Sequence, residues 1–419
     1  MRKTTIILLL CLMLAVLTDA QQIQRCSSAE YLKALELNDP AFAQRRIQSE
    51  AASQQWIASH QGNMPRSIIT IPVVFHLLYN DSTQMLDDSV VQSQMDVINE
   101  DYRRQNPDAG QTPLAFRAVA ADCEIEFCFA KRTPDGLPTN GIIRKYTSVS
   151  QFSDYSGPKL NSTNGDNAWD ASRYLNVWVA AFVNPNFLGL GTFPDGDTTY
   201  DGVVVNYKAF GRIGTHLMAH YNEGRSLTHE IGHWLNLKHV WADDGNTCDD
   251  DDDVADTPLQ RGENYGCPSY PKTDLCSPSF PGIMFMNYLD YTDDACMNIF
   301  TEGQKARMLA ALNLQRTSIL SSNGCTTVGI EENELKNFIS VFPNPVENQL
   351  TVDIRLLRIK SISIYNLLGE SVLTNVANYD KSQQSFQIDV ISLSPGIYFL
   401  QVVTEEGKVD FKIVKTAAK

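Results

Sequence analysis

Between residues 224 and 239 the chain reads Gly-Arg-Ser-Leu-Thr-His-Glu-Ile-Gly-His-Trp-Leu-Asn-Leu-Lys-His, and this run constrains the fold more than any other. His229 and His233 are four residues apart. On a helix they project from one face and can share a tetrahedral metal. Glu230 follows His229 directly, where its carboxylate reaches a water beside that metal. Zinc brings such a water to a pKa of about 7, and a glutamate can take and return its proton. His239 lies six residues beyond His233, and a straight helix would carry it away. The chain must therefore turn after Leu235. Asn236 suits that turn, because asparagine is the residue besides glycine that most readily adopts the left-handed conformation. A bare His-Glu-x-x-His also occurs on surface helices. Leu227, Ile231, Trp234 and Leu235 give this helix an apolar side, and a third histidine follows. The run predicts catalytic zinc on His229, His233 and His239, with Glu230 as base and then acid.

At 419 residues the chain is longer than single cores usually grow, about 250 to 300 residues, so two or more domains are expected. Its 34 basic and 49 acidic residues give a net charge of −15. That argues against nucleic acid as a partner, because phosphate binding needs an excess of Lys and Arg. Arg2 and Lys3 precede an apolar run from Ile6 to Leu17, and Thr18-Asp19-Ala20 closes it. This reads as a signal peptide over residues 1–20, after which the chain is secreted or displayed at the cell surface. Residues 21–66 read as a helical pro-segment. Ser27-Ser28-Ala29-Glu30 resembles a capping box, and Asp39-Pro40 is a helix start. Residues 67–325 mix strands and helices, an α+β pattern. Strands are expected at Ile68–Tyr79, Cys123–Phe129, Tyr174–Phe182 and Gly202–Tyr207, and the 4-3-4 spacing of Val91, Met95, Ile98 and Tyr102 predicts a helix. Residues 326–338 read as a linker. Residues 339–419 are all β, with Leu350, Val352 and Ile354 alternating and a hairpin joining Ile397–Val403 to Val409–Val414. They predict a small all-β sandwich.

The run containing His229 resembles the extended zinc motif of the metzincins and is most similar to the pappalysin family of metalloendopeptidases. A second block, Tyr288-Leu-Asp-Tyr-Thr-Asp-Asp-Ala-Cys-Met-Asn-Ile-Phe-Thr301 with Gln304, Arg307 and Met308, carries the same resemblance. It covers roughly residues 25–325. It implies a metzincin-like zincin domain, with a twisted sheet and helices above a loop-rich lower lobe and the substrate in the cleft between them. The family has a methionine turn beneath the zinc and, two residues on, a tyrosine that assists the oxyanion. One register places Leu289 and Tyr291 there, and the other Met286 and Tyr288. The first is preferred because the block downstream then runs without a gap, and leucine is close to methionine in volume. Relatives specific for basic residues carry an acid just before the cysteine of this block. Ala295 stands there, so arginine preference does not carry over. The Phe-Pro-Asn-Pro of residues 342–345, Ile364–Gly369, Pro395–Tyr398 and Lys412–Lys415 resemble the C-terminal sorting domain of Bacteroidetes type IX cargo. That implies export through the periplasm and the secretion machinery as a partner.

Of the three pairings open to four lower-lobe cysteines, the resemblance favours Cys248–Cys276 and Cys267–Cys296. Cys123 and Cys128 fall on opposite faces of an extended strand and should not pair with each other. Which of them reaches Cys325 is left open. The carboxylates of Asp249–Asp253 repel one another, and a hard cation would relieve them. Asp252-Asp-Val-Ala-Asp-Thr-Pro258 resembles the family's calcium loop and implies structural calcium on Asp252, Thr257 and the Ala255 carbonyl. Arg25-Cys26 follows the signal peptide. A thiolate is a strong zinc ligand, and related zymogens use an Arg-Cys pair for latency. The resemblance implies that Cys26 fills the open zinc position while Arg25 holds the segment; a disulfide from Cys26 to Cys123, Cys128 or Cys325 is the competing reading. Activation is expected by cleavage between Arg66 and Ser67. His216 and His220 are also four apart but lack a neighbouring glutamate, and His60 and His76 read as ordinary histidines. The expected activity is zinc-dependent hydrolysis of peptide bonds in proteins by an enzyme made latent. The alternative is a catalytically silent adhesin on the same fold, against which the intact Glu230 argues.

Overall fold

The computed structural model describes residues 25–419 except 63, 65–66, 244–246, 328–334, 356, 358, 376–384, 405–406 and 418–419. The signal peptide, Arg66 and most of the linker core lie outside the described residues.

Two helices lead the described chain, α1 (Ser28–Asn38) and α2 (Pro40–His60). Asp39 caps α2 by accepting from the Ala41 and Phe42 amides at 3.0 and 3.1 Å. The capping box expected at Ser27 does not form, since Ser27 makes no side-chain cap to α1. The neighbouring Ser28 hydroxyl points into the interior instead.

The next element, β1 (Ile69–Tyr79), is buried on both faces and is the spine of the main sheet. It is followed by α3 (Asp88–Tyr102), β2 (Ile125–Phe129), β3 (Ile142–Tyr146), β4 (Leu175–Ala180), β5 (Gly189–Gly191) and β6 (Val203–Asn206). The sheet order is β2-β1-β4-β6-β5, with β3 also paired to β1. All pairs are parallel except β5 with β6, so β5 forms an antiparallel edge. Residues 71, 73, 75 and 77 of β1, 175, 177 and 179 of β4, and 203 and 205 of β6 share one core with α3. That is the period of two of a strand, which points one set of side chains to each face. Trp178, Ala180 and Val204 pack on the other face with Phe152, Phe182 and Phe187.

The same core takes in Leu227, Ile231 and Trp234 of α4 (Arg225–Trp234). All ten residues of α4 are buried, polar ones included. Between α4 and α5 (Glu302–Leu314) no strand longer than an isolated bridge occurs among the described residues. Loop structure of this kind gains from cross-links. Here the chain holds disulfides Cys248–Cys276 and Cys267–Cys296. Cys128 pairs with Cys325. Cys123 is a buried free thiol, and the backbone at Glu124 turns to φ +56°, so the expected strand begins only at Ile125.

The C-terminal region has its own core. Strands β7 (Ile339–Phe342), β8 (Gln349–Ile354), β9 (Ile359–Tyr365), β10 (Ser371–Asn375), β11 (Ser385–Asp389), β12 (Gly396–Thr404) and β13 (Lys408–Lys415) form two antiparallel sheets, β11-β8-β7 and β10-β9-β12-β13. Leu350, Val352 and Ile388 from one sheet meet Ile364, Leu400 and Val402 from the other. This is the sandwich that the alternating pattern predicts.

Candidate metal centre and catalytic cleft

Helix α4 carries the first two histidines of the site. Its N-terminus is set by Gly224, at φ +77°, and by a carboxylate from the lower lobe. Asp294 Oδ2 accepts from the amide of Glu223, just before the cap, at 3.0 Å and from that of Arg225 at 3.2 Å, the second a donor that the helix leaves unpaired. The chain reverses past the last turn at Asn236, with φ +70°. That reversal returns His239. The Nε2 atoms of His229, His233 and His239 lie 3.1 to 3.2 Å from one another. Their Nδ1 atoms face outward, to the Tyr288 carbonyl at 2.7 Å, the Leu237 carbonyl at 2.8 Å and the Asp243 carboxylate at 2.8 Å.

Carbonyl and carboxylate partners accept hydrogen bonds, so each Nδ1 carries the proton and each Nε2 presents a lone pair. Burial, together with the neighbouring imidazoles, pushes the pKa of His229 well down and that of His233 down to about 3. Burial opposes charge on His239 as well, but Asp243 outweighs it and holds that pKa above its usual value. Three converging lone pairs repel unless a cation lies between them. The donor set therefore fits zinc, which favours imidazole nitrogen and four-coordination. The Cys26 thiol lies beside the three imidazoles, with all four donor atoms within 4.8 Å of one another.

Glu230 is buried, and burial pushes its pKa up to about 7. Its carboxylate Oε2 accepts from the Ser28 hydroxyl at 3.0 Å and contacts Cys26 Sγ at 3.3 Å. Residues 25–27 run beside the edge strand, parallel to it. Gly189 donates to the Arg25 carbonyl and Ser27 donates to the Gly189 carbonyl, both at 3.2 Å. Ser28 Oγ accepts from the Gly191 amide at 2.8 Å. Tyr291 reaches the same backbone, its hydroxyl donating to the Cys26 carbonyl at 3.3 Å. Its ring packs against His239, centroids 5.0 Å apart. Leu289 lies against Gly232 of α4. Tyr288 points the other way, to Asp101 at 2.7 Å. Asp101 also accepts from Thr228, and burial pushes its pKa up to about 6 despite the nearby Arg225. Sequence reading missed Asp101, because nothing local ties residue 101 to 288.

Arg25 is wholly buried, and its guanidinium meets Asp294 at 3.1 Å, the Thr292 carbonyl and the Tyr221 ring. Asp294 is the second residue that sequence reading missed. The resemblance directs attention to position 295, where Ala295 stands, whereas the carboxylate that meets Arg25 belongs to Asp294; a loop gives no periodicity from which to read facing. The remaining histidines are elsewhere. His216 faces the Phe210 carbonyl and His220 pairs with Asp293. His76 is buried between Asp166 and Asn176, and His60 stacks on Trp56.

In the acidic loop, Asp252 Oδ1 accepts from Thr257 Oγ1 at 2.7 Å, while Asp252 Oδ2 is buried with no partner. Burial pushes the Asp252 pKa up to about 7. Ala255 is exposed.

Residues 159–313 match the family model described as pregnancy-associated plasma protein-A, and residues 340–416 match that of a secretion system C-terminal sorting domain. An extracellular metalloprotease of Arthroderma otae is 31% identical over 249 residues, spanning 58% of this chain and 77% of its own length. One from Verticillium alfalfae is 30% identical, spanning 60% and 80%. The structure of mature mirolysin from Tannerella forsythia, in complex with a cleaved peptide, aligns at a TM-score of 0.59 with 48% identity, over 61% of this chain and 97% of that one. The chain belongs to the pregnancy-associated plasma protein-A family of metallopeptidases. A mutant of Tannerella forsythia promirolysin matches this pappalysin further, over 71% of the chain at 43% identity and a TM-score of 0.64. The pappalysin described here is thus a secreted zinc endopeptidase made as a zymogen, with a sorting tail that sends it out of the cell or to its surface.

The edge strand lies so close to α4 that side chains are excluded. A Cβ on Gly191 would fall 2.0 Å from the Glu230 carbonyl oxygen. Gly191→Ala should destabilise the fold by about 1–3 kcal/mol or more, because backbone has to move. Urea unfolding of wild type and variant measures this, and equal midpoints would contradict the packing.

Proposed function

We propose that His229, His233 and His239 hold the zinc, that Glu230 is the proton carrier and that Tyr291 assists the oxyanion. The convergence of three outward-anchored imidazoles beside a buried carboxylate carries this reading. Zinc supplies Lewis acidity to the scissile carbonyl and brings the pKa of a nearby water towards about 7. Glu230 accepts the proton of the attacking water at its carboxylate and delivers it to the leaving amine nitrogen. The backbone groups of Gly189 and Gly191 on the open edge strand orient an extended substrate. Tyr291 donates to a backbone carbonyl of the pro-segment, and the same hydroxyl is available to a substrate carbonyl as charge develops on it. The pocket that ends on Asp294, the Thr292 carbonyl and the Tyr221 face suits a basic substrate side chain, because a guanidinium already fills it. In wild type, products of a mixed protein digest should cluster at basic residues. Glu230→Ala should keep its zinc and lose most turnover, read by metal analysis and casein hydrolysis. Near wild-type turnover in that variant would refute the mechanism, and a wild type that leaves casein uncut would favour the silent-adhesin alternative.

Latency has two contacts in this reading. The Cys26 thiol takes the fourth metal position, and the Ser28 hydroxyl occupies the carboxylate that must receive the proton. Activation then cuts between Arg66 and Ser67, ahead of β1, and frees residues 21–66. The catalytic domain spans 67–325, the linker 326–338 and the sorting domain 339–419. Cys26→Ala should speed activation of the purified precursor and leave the mature enzyme unchanged. An unchanged activation rate argues against the thiol as a lock.

Calcium at Asp252, Thr257 and the Ala255 carbonyl is supported by the unpartnered buried oxygen of Asp252. A hard cation satisfies such an oxygen. Chelation followed by zinc alone should restore only part of the activity, with a lowered melting temperature. Full recovery and an unchanged melting temperature would remove calcium from the account.

A further inference from the structure

The reversal that returns His239 is gripped by two arginines from a distant part of the chain. Trp234 ends α4, and its carbonyl is among those that a helix C-terminus leaves without a partner inside the helix. Arg316 Nε donates to that carbonyl at 2.8 Å, and the guanidinium lies 4.0 Å from the Trp234 ring centroid. The other two nitrogens of Arg316 hold Asp201 at 2.8 and 2.9 Å. Asp201 also accepts from Trp234 Nε1 at 3.2 Å and from Thr192 Oγ1 at 3.0 Å. Two residues on, the Asn236 carbonyl accepts from Arg307 Nε at 2.7 Å. Arg307 is wholly buried.

These two carbonyls flank the turn on which the metal set depends. A left-handed non-glycine residue, even asparagine, is held more firmly where its surroundings fix it. The Leu237 amide donates back to the Gly232 carbonyl at 2.9 Å, and the Leu237 carbonyl orients His233. A shift of this turn would therefore disturb the His233 hydrogen bond and the position of His239 together. A guanidinium is planar and permanently charged, so one edge can hold a carboxylate while Nε holds a carbonyl; an ammonium lacks that fork.

We propose that Arg316 and Arg307 are positioning residues for the metal set, fixing the reversal at Asn236 so that His233 and His239 stay aimed at one point. This rests on the reading of the three histidines as zinc ligands. In the precursor Arg307 has a further partner, Glu50 of α2, at 2.5 and 2.6 Å. All the Arg316 contacts named here lie between residues 192 and 234, within the catalytic domain, so Arg316 is the better handle in the mature enzyme.

The test uses full-length precursor activated to the mature enzyme, as wild type, Arg316→Gln, Arg316→Lys, Arg307→Gln and Leu312→Ala. Leu312 is a buried core residue of α5 and controls for lost stability alone. Zinc release into a chelator is followed by metal analysis, and kcat and KM are measured separately. Both glutamine variants should release zinc about ten-fold faster or more, the usual scale for partners behind metal ligands. Their kcat should fall with KM little changed, and Arg316→Lys should recover only part of the difference. Leu312→Ala should melt lower yet release zinc at the wild-type rate. Wild-type release rates in the glutamine variants would overturn the proposal, as would an equal acceleration in Leu312→Ala. If Arg316→Gln does not fold, Arg316→Lys decides on the same readouts. A wild-type enzyme that binds no zinc would instead refute the ligand assignment.

Discussion

Three imidazole nitrogens with lone pairs facing one another at 3.1 to 3.2 Å are an unfavourable arrangement for a protein on its own. The fold maintains it by tying each outer nitrogen to a different segment: the Tyr288 carbonyl, the Leu237 carbonyl and Asp243. Much of the surrounding structure serves those anchors. Asp101 on α3 holds the Tyr288 hydroxyl, and Tyr102 donates to the Thr228 carbonyl of α4. The sheet supplies the platform, and the absence of side chains at Gly189 and Gly191 lets the edge strand approach Glu230. Buried polar groups on this scale are tolerable because they are partnered.

Residues 25–28 lie on the surfaces that the proposed mechanism gives to an extended peptide. This segment pairs with the edge of β5 through Cys26 and buries Arg25, so in the proposed reading recognition and obstruction come from one run of four residues, Arg25 to Ser28. Helix α2 behaves differently. Its buried side chains include Arg46, which donates to Asn236 Oδ1 at 2.9 Å, and Ser53. Glu50 meets Arg307 beside them. A polar seam of this kind specifies a position more than it adds stability, since much of the attraction is offset by desolvation.

The sorting domain stands apart energetically. Among the described residues its core draws on residues from 335 to 413, and the catalytic core on residues from 26 to 319. Each region has the buried apolar set that independent folding requires. This separation suits a chain in which one part directs export and the other cuts peptides.

What the sequence determined by itself was local. Helical spacing put His229 and His233 on one face, the left-handed tolerance of Asn236 allowed the return of His239, and alternation wrote out the sandwich strands. Those properties depend on neighbours within a few residues, so the residue order carries them. The resemblance to a known family supplied the lower-lobe disulfides and the Arg-Cys pair. Tertiary structure decided everything that spans long separations. It chose Cys128 over Cys123 for Cys325, because Glu124 turns the backbone before the strand begins. It turned Ser28 away from a helix cap and onto Glu230. It brought Asp294 rather than residue 295 to Arg25, and Arg316 to the Trp234 carbonyl. In each case the partners meet only after the sheet and the lower lobe have closed on each other. No periodicity in the chain encodes which loop atom will face a cleft.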